Sequence, residues 1–531
     1  MENKNSIGGV WLATNYGIDP VMPFQTLSRI GSRRATQVLD DITTEIYVES
    51  MRPSPTLRGH LTFHLKHEVL HLEVLSQLFR KINPQELSDW VSDEPSGQYA
   101  KRAGFLYEFL TNKTLEINSE ITGGYIDVID AAKLVAASPE QAIPNRRWRV
   151  RDNLPGTPYF CPIIRKTADS IKAMSLDVSK LISDLALEFG EELLMRSAVW
   201  MTLRESKSSF AIEGEADQSD CIQRFADLLS RQTGQGPWPF NQAALAELQA
   251  EILGKRTTLE HFGIRKSPVF VGEVVRYQEI VHYIAPPAED IQLMLDGVLT
   301  FLERTKGQSS VMRSAVAAFG FVYIHPLADG NGRVHRFLIN DVLRRDQVVK
   351  APMILPISSL IISNHTERYS YDRVLDVVSR PLMQALEGLY EFSTTPTTYS
   401  DGIRSNFEFH SDEKVRHTWR FLDVTKHVVY LAHVVERTIC GDMREEFRFL
   451  RNHSQARSAI KEIVEMPDMQ IDRIIRSVES NQGKLSNMLG KEMPILQEPG
   501  IWDEIVRAIE NAFQDESEMN VVNKYVCGNR K

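Results

Sequence analysis

Between its turn signals the 531-residue chain spaces apolar residues three and four apart, as in Leu61, Leu65, Leu72, Leu75 and Phe79, and again in Ile471, Ile474, Ile475 and Val478. This spacing gathers them on one helix face and predicts a mainly α-helical protein. The stretch 138–157, rich in Pro, Arg and Asn, interrupts the period and reads as a connection after an N-terminal helical region, residues 1–150. A second interruption, 392–402 (FSTTPTTYSDG), has the composition of a linker or exposed loop, and residues 403–531 follow as a C-terminal helical module. One region favours strands. Residues 268–271 and 280–284 are β-prone and enclose 272–279, which predicts a small hairpin over 267–284. After it, 290–302 and 312–324 each fit a helix, the second apolar nearly all round and therefore buried.

Composition narrows the class without changing this picture. With 42% hydrophobic and 25% charged residues, the chain is neither disordered nor a disulfide scaffold, and its length suits several domains. The formal charge of -9 argues against coating nucleic acid or an anionic membrane through bulk charge and leaves room only for a local basic site. Cys161, Cys221, Cys440 and Cys527 are far apart and form no CxxC pair, as expected of reduced thiols. No secretory leader and no long apolar span is apparent, so the expectation is a cytoplasmic protein with no membrane association.

The chemistry concentrates in 325–336, His-Pro-Leu-Ala-Asp-Gly-Asn-Gly-Arg-Val-His-Arg, a polar glycine-rich turn between the buried helix and an amphipathic one. Amides freed by Gly330 and Gly332, at the positive end of the next helix, form a cradle for an anion such as phosphate. Arg333 and Arg336, three apart, emerge from one face of the first turn and can grip successive phosphates. Asp329 suits Mg2+ shared with phosphate oxygens. His325, with an ordinary pKa near 6.5, suits a base that takes a proton from a hydroxyl.

This loop resembles the signature of the Fic family, H-P-F-x-[DE]-G-N-G-R-x-x-R, departing from it only at Leu327, where the family has Phe as a core anchor. The resemblance implies a Fic-type helical core over 190–390 with the β-hairpin as a flap that docks the target's backbone. It implies a protein adenylyltransferase that moves AMP from ATP to a Ser, Thr or Tyr hydroxyl of a target protein, itself included, and releases pyrophosphate. In that reading His325 is the base, Asp329 holds Mg2+, and Gly330, Asn331 and Gly332 bind the α-phosphate. Arg333 takes the β-phosphate, and Asn364 and Tyr369 lie on the adenine side. Upstream, Ser209, Glu213 and Gly214 match the inhibitory motif [ST]-x-x-x-E-[GN] within 208–214. In the family this Glu pairs with the second loop arginine, here Arg336, and keeps it from the γ-phosphate. Holding 99% of molecules off requires a bias of roughly 2.7 kcal/mol.

Three further readings are weighed against this one. The same site could remove AMP from a protein, with Glu213 positioning a water. A permanently closed Fic site could instead serve a regulatory protein whose C-terminal module binds DNA or a partner, since 467–478, Asn481-Gln482-Gly483 and a short helix from Ser486 have the rhythm of a helix-turn-helix. Its cations Arg473, Arg476, Lys484 and Lys491 are few, and the module equally suits plain packing or assembly of copies of the chain. Finally His67-Glu68-Val69-Leu70-His71 matches HExxH, but Val74 and Gln77 stand where an extended zinc motif needs Gly and His, so packed or solvated histidines on an amphipathic helix are expected.

Overall fold

The computed structural model describes residues 5–39, 42–254, 257–276, 278–410 and 413–526, so Cys527 lies outside the described residues. The chain is mainly α-helical, with small sheets of short strands. It divides into two compact units, one of Met1–Ser179 and Val199–Glu436, the other of Lys180–Ala198 and Arg437–Lys531.

In the first unit, helices Leu57–His67, Leu72–Lys81, Pro84–Asp93 and Gln98–Thr111 enclose a core that includes Leu61, Leu75, Val91, Leu106 and Trp148. The apolar spacing of 61–79 does build this core, but as two helices. Glu68 turns its carboxylate to the Gly9 amide (2.8 Å) and leaves the helix in an extended conformation (φ -94°, ψ 171°). His71 caps the next helix by accepting from Val74 N, so His67 and His71 do not share a helix face. His64 donates from Nδ1 to Glu68 Oε2 (2.6 Å) and accepts the His71 amide at Nε2 (3.3 Å), which leaves neither ring nitrogen for a metal.

Three sets of strands among the described residues lie outside the helical reading, the smallest being Ile126–Asp127, Ile143–Asn145 and Val150–Asp152. Thr26–Ile30, Ala35–Leu39 and Ile42–Tyr47 form a sheet in which the third strand lies between the first, parallel to it, and the second, antiparallel. Their alternating Thr, Val and Ile residues supply β-branched side chains suited to a pleat. The segment expected to be a linker is instead a strand, Tyr390–Thr398, paired antiparallel with Arg404–Phe409. Phe392 and Phe407 explain the difference, because both pack on Phe270 with ring centroids 5.4 and 4.8 Å away. Burying those rings outweighs the polar Ser/Thr composition.

Three helices carry the site. Ile291–Arg304 packs on Ser310–Ile324, which packs in turn on Asn331–Arg345, and the middle one is buried on almost every side as its sequence predicts. The expected hairpin is present as Phe270–Val275 and Gln278–Ile284.

The second unit contains Arg444–Ile463, Asp468–Ser480, Asn487–Glu492 and Ile501–Val526, packed around Ile460, Ile471, Ile475, Leu489 and Ile505. Gln482 and Gly483 adopt positive φ (53° and 77°) in the turn after Asp468–Ser480, and Ser486 caps the six-residue helix that follows. Arg473 there pairs with Glu492.

Candidate active site

The helix Ser310–Ile324 ends at His325, whose left-handed φ of 49° turns the chain into the loop. His325 Nδ1 lies 3.1 Å from the Val322 carbonyl; Nδ1 therefore carries the proton and Nε2 keeps its lone pair. Burial, with the nearby Arg265 guanidinium adding to it, pushes the imidazole down to about 4, so the ring is neutral at pH 7.

Asn331 holds the loop shut on itself. Its Oδ1 accepts the Leu327 amide (3.0 Å) and its Nδ2 donates to the Leu327 carbonyl (2.8 Å). Leu327 is fully buried, filling the position of the family's Phe. Gly330 has φ 92°, the turn that starts the helix Asn331–Arg345 and that a larger residue would strain. Asp329, Gly330, Asn331, Gly332, Arg333 and Arg336 are thus gathered on one loop and one helical turn.

At the foot of the hairpin the structure adds two residues that spacing did not reveal. Arg265, almost fully buried, donates from its backbone to Pro326 O (2.8 Å) and from its guanidinium to His325 O, Ser267 O and Pro286 O at 2.8, 2.8 and 2.7 Å. One side chain therefore ties both feet of the hairpin to the loop that begins at His325. Asp401, inside the stretch expected to be a linker, accepts from Lys266 N, Ser267 N and Ser267 Oγ at 2.6, 2.8 and 2.9 Å. Neither has a local signal, because most of their partners are backbone atoms that only the tertiary fold brings near.

The expected inhibitory segment is poised over the loop. Ser209 and Glu213 sit at the end of the helix Glu191–Ile212, and Gly214 (φ 77°) turns the chain beyond it. Arg336 donates from Nε to Ser209 Oγ (2.6 Å), and from Nη2 to Ser209 O (3.0 Å) and Glu213 Oε1 (2.6 Å). Burial pushes the Glu213 carboxyl up, but Arg336, helped by Arg333 and Arg368, outweighs it and holds the group below its ordinary value. Arg333 is taken as well: it donates to Glu215 Oε2 (2.6 Å) and Asp329 Oδ1 (3.0 Å), 5.0 Å above the Phe210 ring. Glu215 lies outside the inhibitory motif and was not anticipated.

A cleft of about 1170 Å³ opens from this loop, bounded by Glu213, Gly332, His325, Tyr371, the hairpin residues Val271 and His282, and Arg368. Asn364 and Tyr369 are not among its walls. Asn364 caps the helix His365–Ala385 by accepting from Glu367 N (3.0 Å), and Tyr369 is 62% exposed. Arg368 and Tyr371 face the cleft instead, and Arg368 donates to Ile212 O (3.2 Å), next to Glu213. The three-residue group Glu391, Glu408 and His410, on the second hairpin, has metal-ligand spacing among the described residues; it is separate from Asp329.

The sequence model described as the Fic/DOC family matches residues 239–343. Over 117 residues the chain is 30% identical to "Protein adenylyltransferase fic-1" of Caenorhabditis briggsae, covering 22% of this chain and 21% of that protein. Over 114 residues it is 31% identical to "Protein adenylyltransferase Fic" of Drosophila melanogaster, covering 21% of each. The chain thus spans about a fifth of the length of the curated relatives it matches. A solved structure of a Fic family protein from Desulfovibrio desulfuricans G20 aligns with a TM-score of 0.37 and 18% identity, over 55% of this chain and 80% of that one. The loop, the helices that flank it and the hairpin thus lie within or beside residues 239–343, the stretch that is similar to the Fic/DOC family.

Proposed function

We propose that this chain is a protein adenylyltransferase held in check by its own Glu213. The observation that carries the reading is the half-buried His325 imidazole at the cleft wall, neutral and with Nε2 unprotonated, beside a glycine-rich helix N-terminus and two arginines. Nε2 accepts the proton of a target hydroxyl as that oxygen attacks the α-phosphorus of ATP, and pyrophosphate leaves. The amides at Gly330–Gly332 receive the α-phosphate charge, and Arg333 and Arg336 receive the β- and γ-phosphates once released from their carboxylates.

Asp329 fits a divalent ion: it is the carboxylate on the loop itself, it is half exposed, and its hard oxygens suit Mg2+. Bound there, Mg2+ would neutralise phosphate charge. The chain's own contribution is to orient Asp329, which Arg333 engages in this state. On the adenine side, Arg368 and Tyr371 border the cleft, whereas Asn364 and Tyr369 serve only if the helix start at 364–369 moves. The relatives' printed name, protein adenylyltransferase, supports the same activity. The target is a protein hydroxyl, on a partner or on the chain itself, docked along the hairpin.

Transfer of label from α-labelled ATP to protein in Mg2+ tests this reading, with wild type against His325→Ala. Label that depends on His325 supports it. Label of equal strength in both, or none from any variant even with cell lysate, refutes it.

A further inference from the structure

The inhibitory segment has a fastening that its motif does not contain. Glu205 lies four residues before Ser209 and eight before Glu213, at the end of the helix Glu191–Ile212, so the three side chains emerge on one side of it. Glu205 is only 1% exposed. Its Oε2 accepts the Ser358 amide (2.7 Å) and its Oε1 accepts the Ser358 hydroxyl (2.6 Å). Ser358 belongs to the short helix Ile357–Ile361, where the cap position is Pro356 and no side chain of its own caps the first turn. A carboxylate from another helix therefore meets the amide that needs an acceptor there. The neighbouring residues repeat the tie, as Arg204 donates from Nε to Ser359 Oγ (2.7 Å).

A buried carboxylate is costly unless its bonds are kept, so the Glu205–Ser358 pair holds its geometry. It fixes the helix one turn before Ser209, whose Oγ and carbonyl both accept from Arg336. The chain after Ser358 runs into His365–Ala385, and Arg368 of that helix donates to Ile212 O (3.2 Å). Residues 358–368 thus grip the inhibitory helix at Glu205 and again at Ile212, with Ser209 between the two points. Behind Glu213, Glu205 also acts on the buried Arg336 charge and favours its cationic form. For a phosphate of ATP to take Arg336, the bonds to Ser209 and Glu213 must break together, and a helix fixed at Glu205 keeps them together.

We infer that Glu205, through Ser358, is a positioning residue of the inhibitory segment: it holds Ser209 and Glu213 on Arg336. The inference rests on the adenylyltransferase reading and extends its restraint to a residue outside 208–214.

The test compares initial rates of transfer from α-labelled ATP in Mg2+ for wild type, Glu205→Ala, Ser358→Ala, Glu213→Gly and Glu205→Ala/Glu213→Gly, with amide exchange followed over 209–214 in each. Glu205→Ala is expected to raise the wild-type rate at least about tenfold, as the loss of a hydrogen bond to a charged group allows, and Ser358→Ala, which keeps the amide bond, to raise it less. Exchange over 209–214 is expected to quicken in both. Adding Glu205→Ala to Glu213→Gly is expected to add no further rate, because the contact it positions is already gone. A merely destabilised fold loses rate and does not gain it. A wild-type rate in whichever single variant folds, beside a fast Glu213→Gly, overturns the inference. So does an equal rise on the Glu213→Gly background, which would place Glu205 in catalysis. If Glu213→Gly transfers nothing, the adenylyltransferase reading falls separately and exchange decides: unchanged protection of 209–214 overturns the positioning role, and faster exchange confined there upholds it. Ser358→Ala leaves the carboxylate and its amide bond in place, so a misfolded Glu205→Ala does not remove the test.

Discussion

The Glu213 carboxylate stands where a side chain on residue 332 would begin: a Cβ placed on Gly332 would lie 2.1 Å from Glu213 Oε1. The negative group of the inhibitory segment therefore occupies space beside the helix start where a phosphate would be received. Arg336 holds it there from one side at 2.6 Å. Autoinhibition by this account is substitution of one anion for another, together with capture of the arginine that the second anion needs.

Gly332→Ala separates the two roles of that glycine. In wild type the added methyl strikes the far end of the Glu213 side chain, which must shift off Arg336, and a lower melting temperature is expected from the lost contact. In a Glu213→Gly background the clash is gone, but the methyl still obstructs the cradle, so transfer falls at least about tenfold relative to Glu213→Gly alone. Thermal melting of the single variant and label transfer by the double variant check the two effects.

Glu215 predicts a second layer of restraint. Freeing Arg336 alone leaves Arg333 bonded to Glu215 and Asp329. Glu213→Gly/Glu215→Ala is therefore expected to transfer AMP several-fold faster than Glu213→Gly at limiting Mg2+, about what one charged hydrogen bond is worth. Glu215→Ala alone is expected to stay near wild type, because Arg336 remains captured. Initial rates across a Mg2+ titration decide between this and a purely structural Glu215.

If His325 is the base, as proposed, its protonation sets the acid limb of the reaction. The base works while neutral, and its folded pKa is pushed down to about 4, so protonation removes activity only as pH falls through that value. Between pH 6 and 8 the Glu213→Gly enzyme should show no loss attributable to an ordinary histidine near 6.5. A kcat profile at saturating ATP, with folding followed by circular dichroism at each pH, measures this. A limb centred near 6.5 would contradict the buried geometry.

Asp401 tests how far the hairpin depends on the segment beyond it. Asp401→Ala leaves Lys266 N and the buried donors Ser267 N and Ser267 Oγ without their acceptor, at a cost of about 1–3 kcal/mol. Faster amide exchange confined to 267–284 and a lower melting temperature are expected, with ATP affinity retained. Unchanged exchange there would mean that Arg265 alone fixes the hairpin's feet.

Much of this was legible in the sequence where the signal is local. The apolar run of Ser310–Ile324, the turn at Gly330, the hairpin and the Ser209–Glu213 spacing each lie within a few residues, and the structure has them in the expected elements. The illegible parts depend on distant partners. The 390–409 hairpin is secured by Phe392 and Phe407 against Phe270, more than a hundred positions away, so its Ser/Thr-rich sequence looks like a loop. HExxH looked like one helical face because periodicity counts Leu and Val, and does not register that Glu68 is recruited by the Gly9 amide. Tyr369 came from the resemblance alone, and in the structure it points outward at 62% exposure while Tyr371, two residues on, lines the cleft.

The most direct test of the central claim is the initial rate of AMP transfer from α-labelled ATP in wild type, Glu213→Gly and Glu213→Gly/His325→Ala, in Mg2+ with and without lysate. If the Glu213–Arg336 contact holds about 99% of molecules closed, Glu213→Gly should be up to about 100-fold faster than wild type, and the double variant should return to background. A Glu213→Gly rate equal to wild type would contradict the account, as would transfer that survives loss of His325.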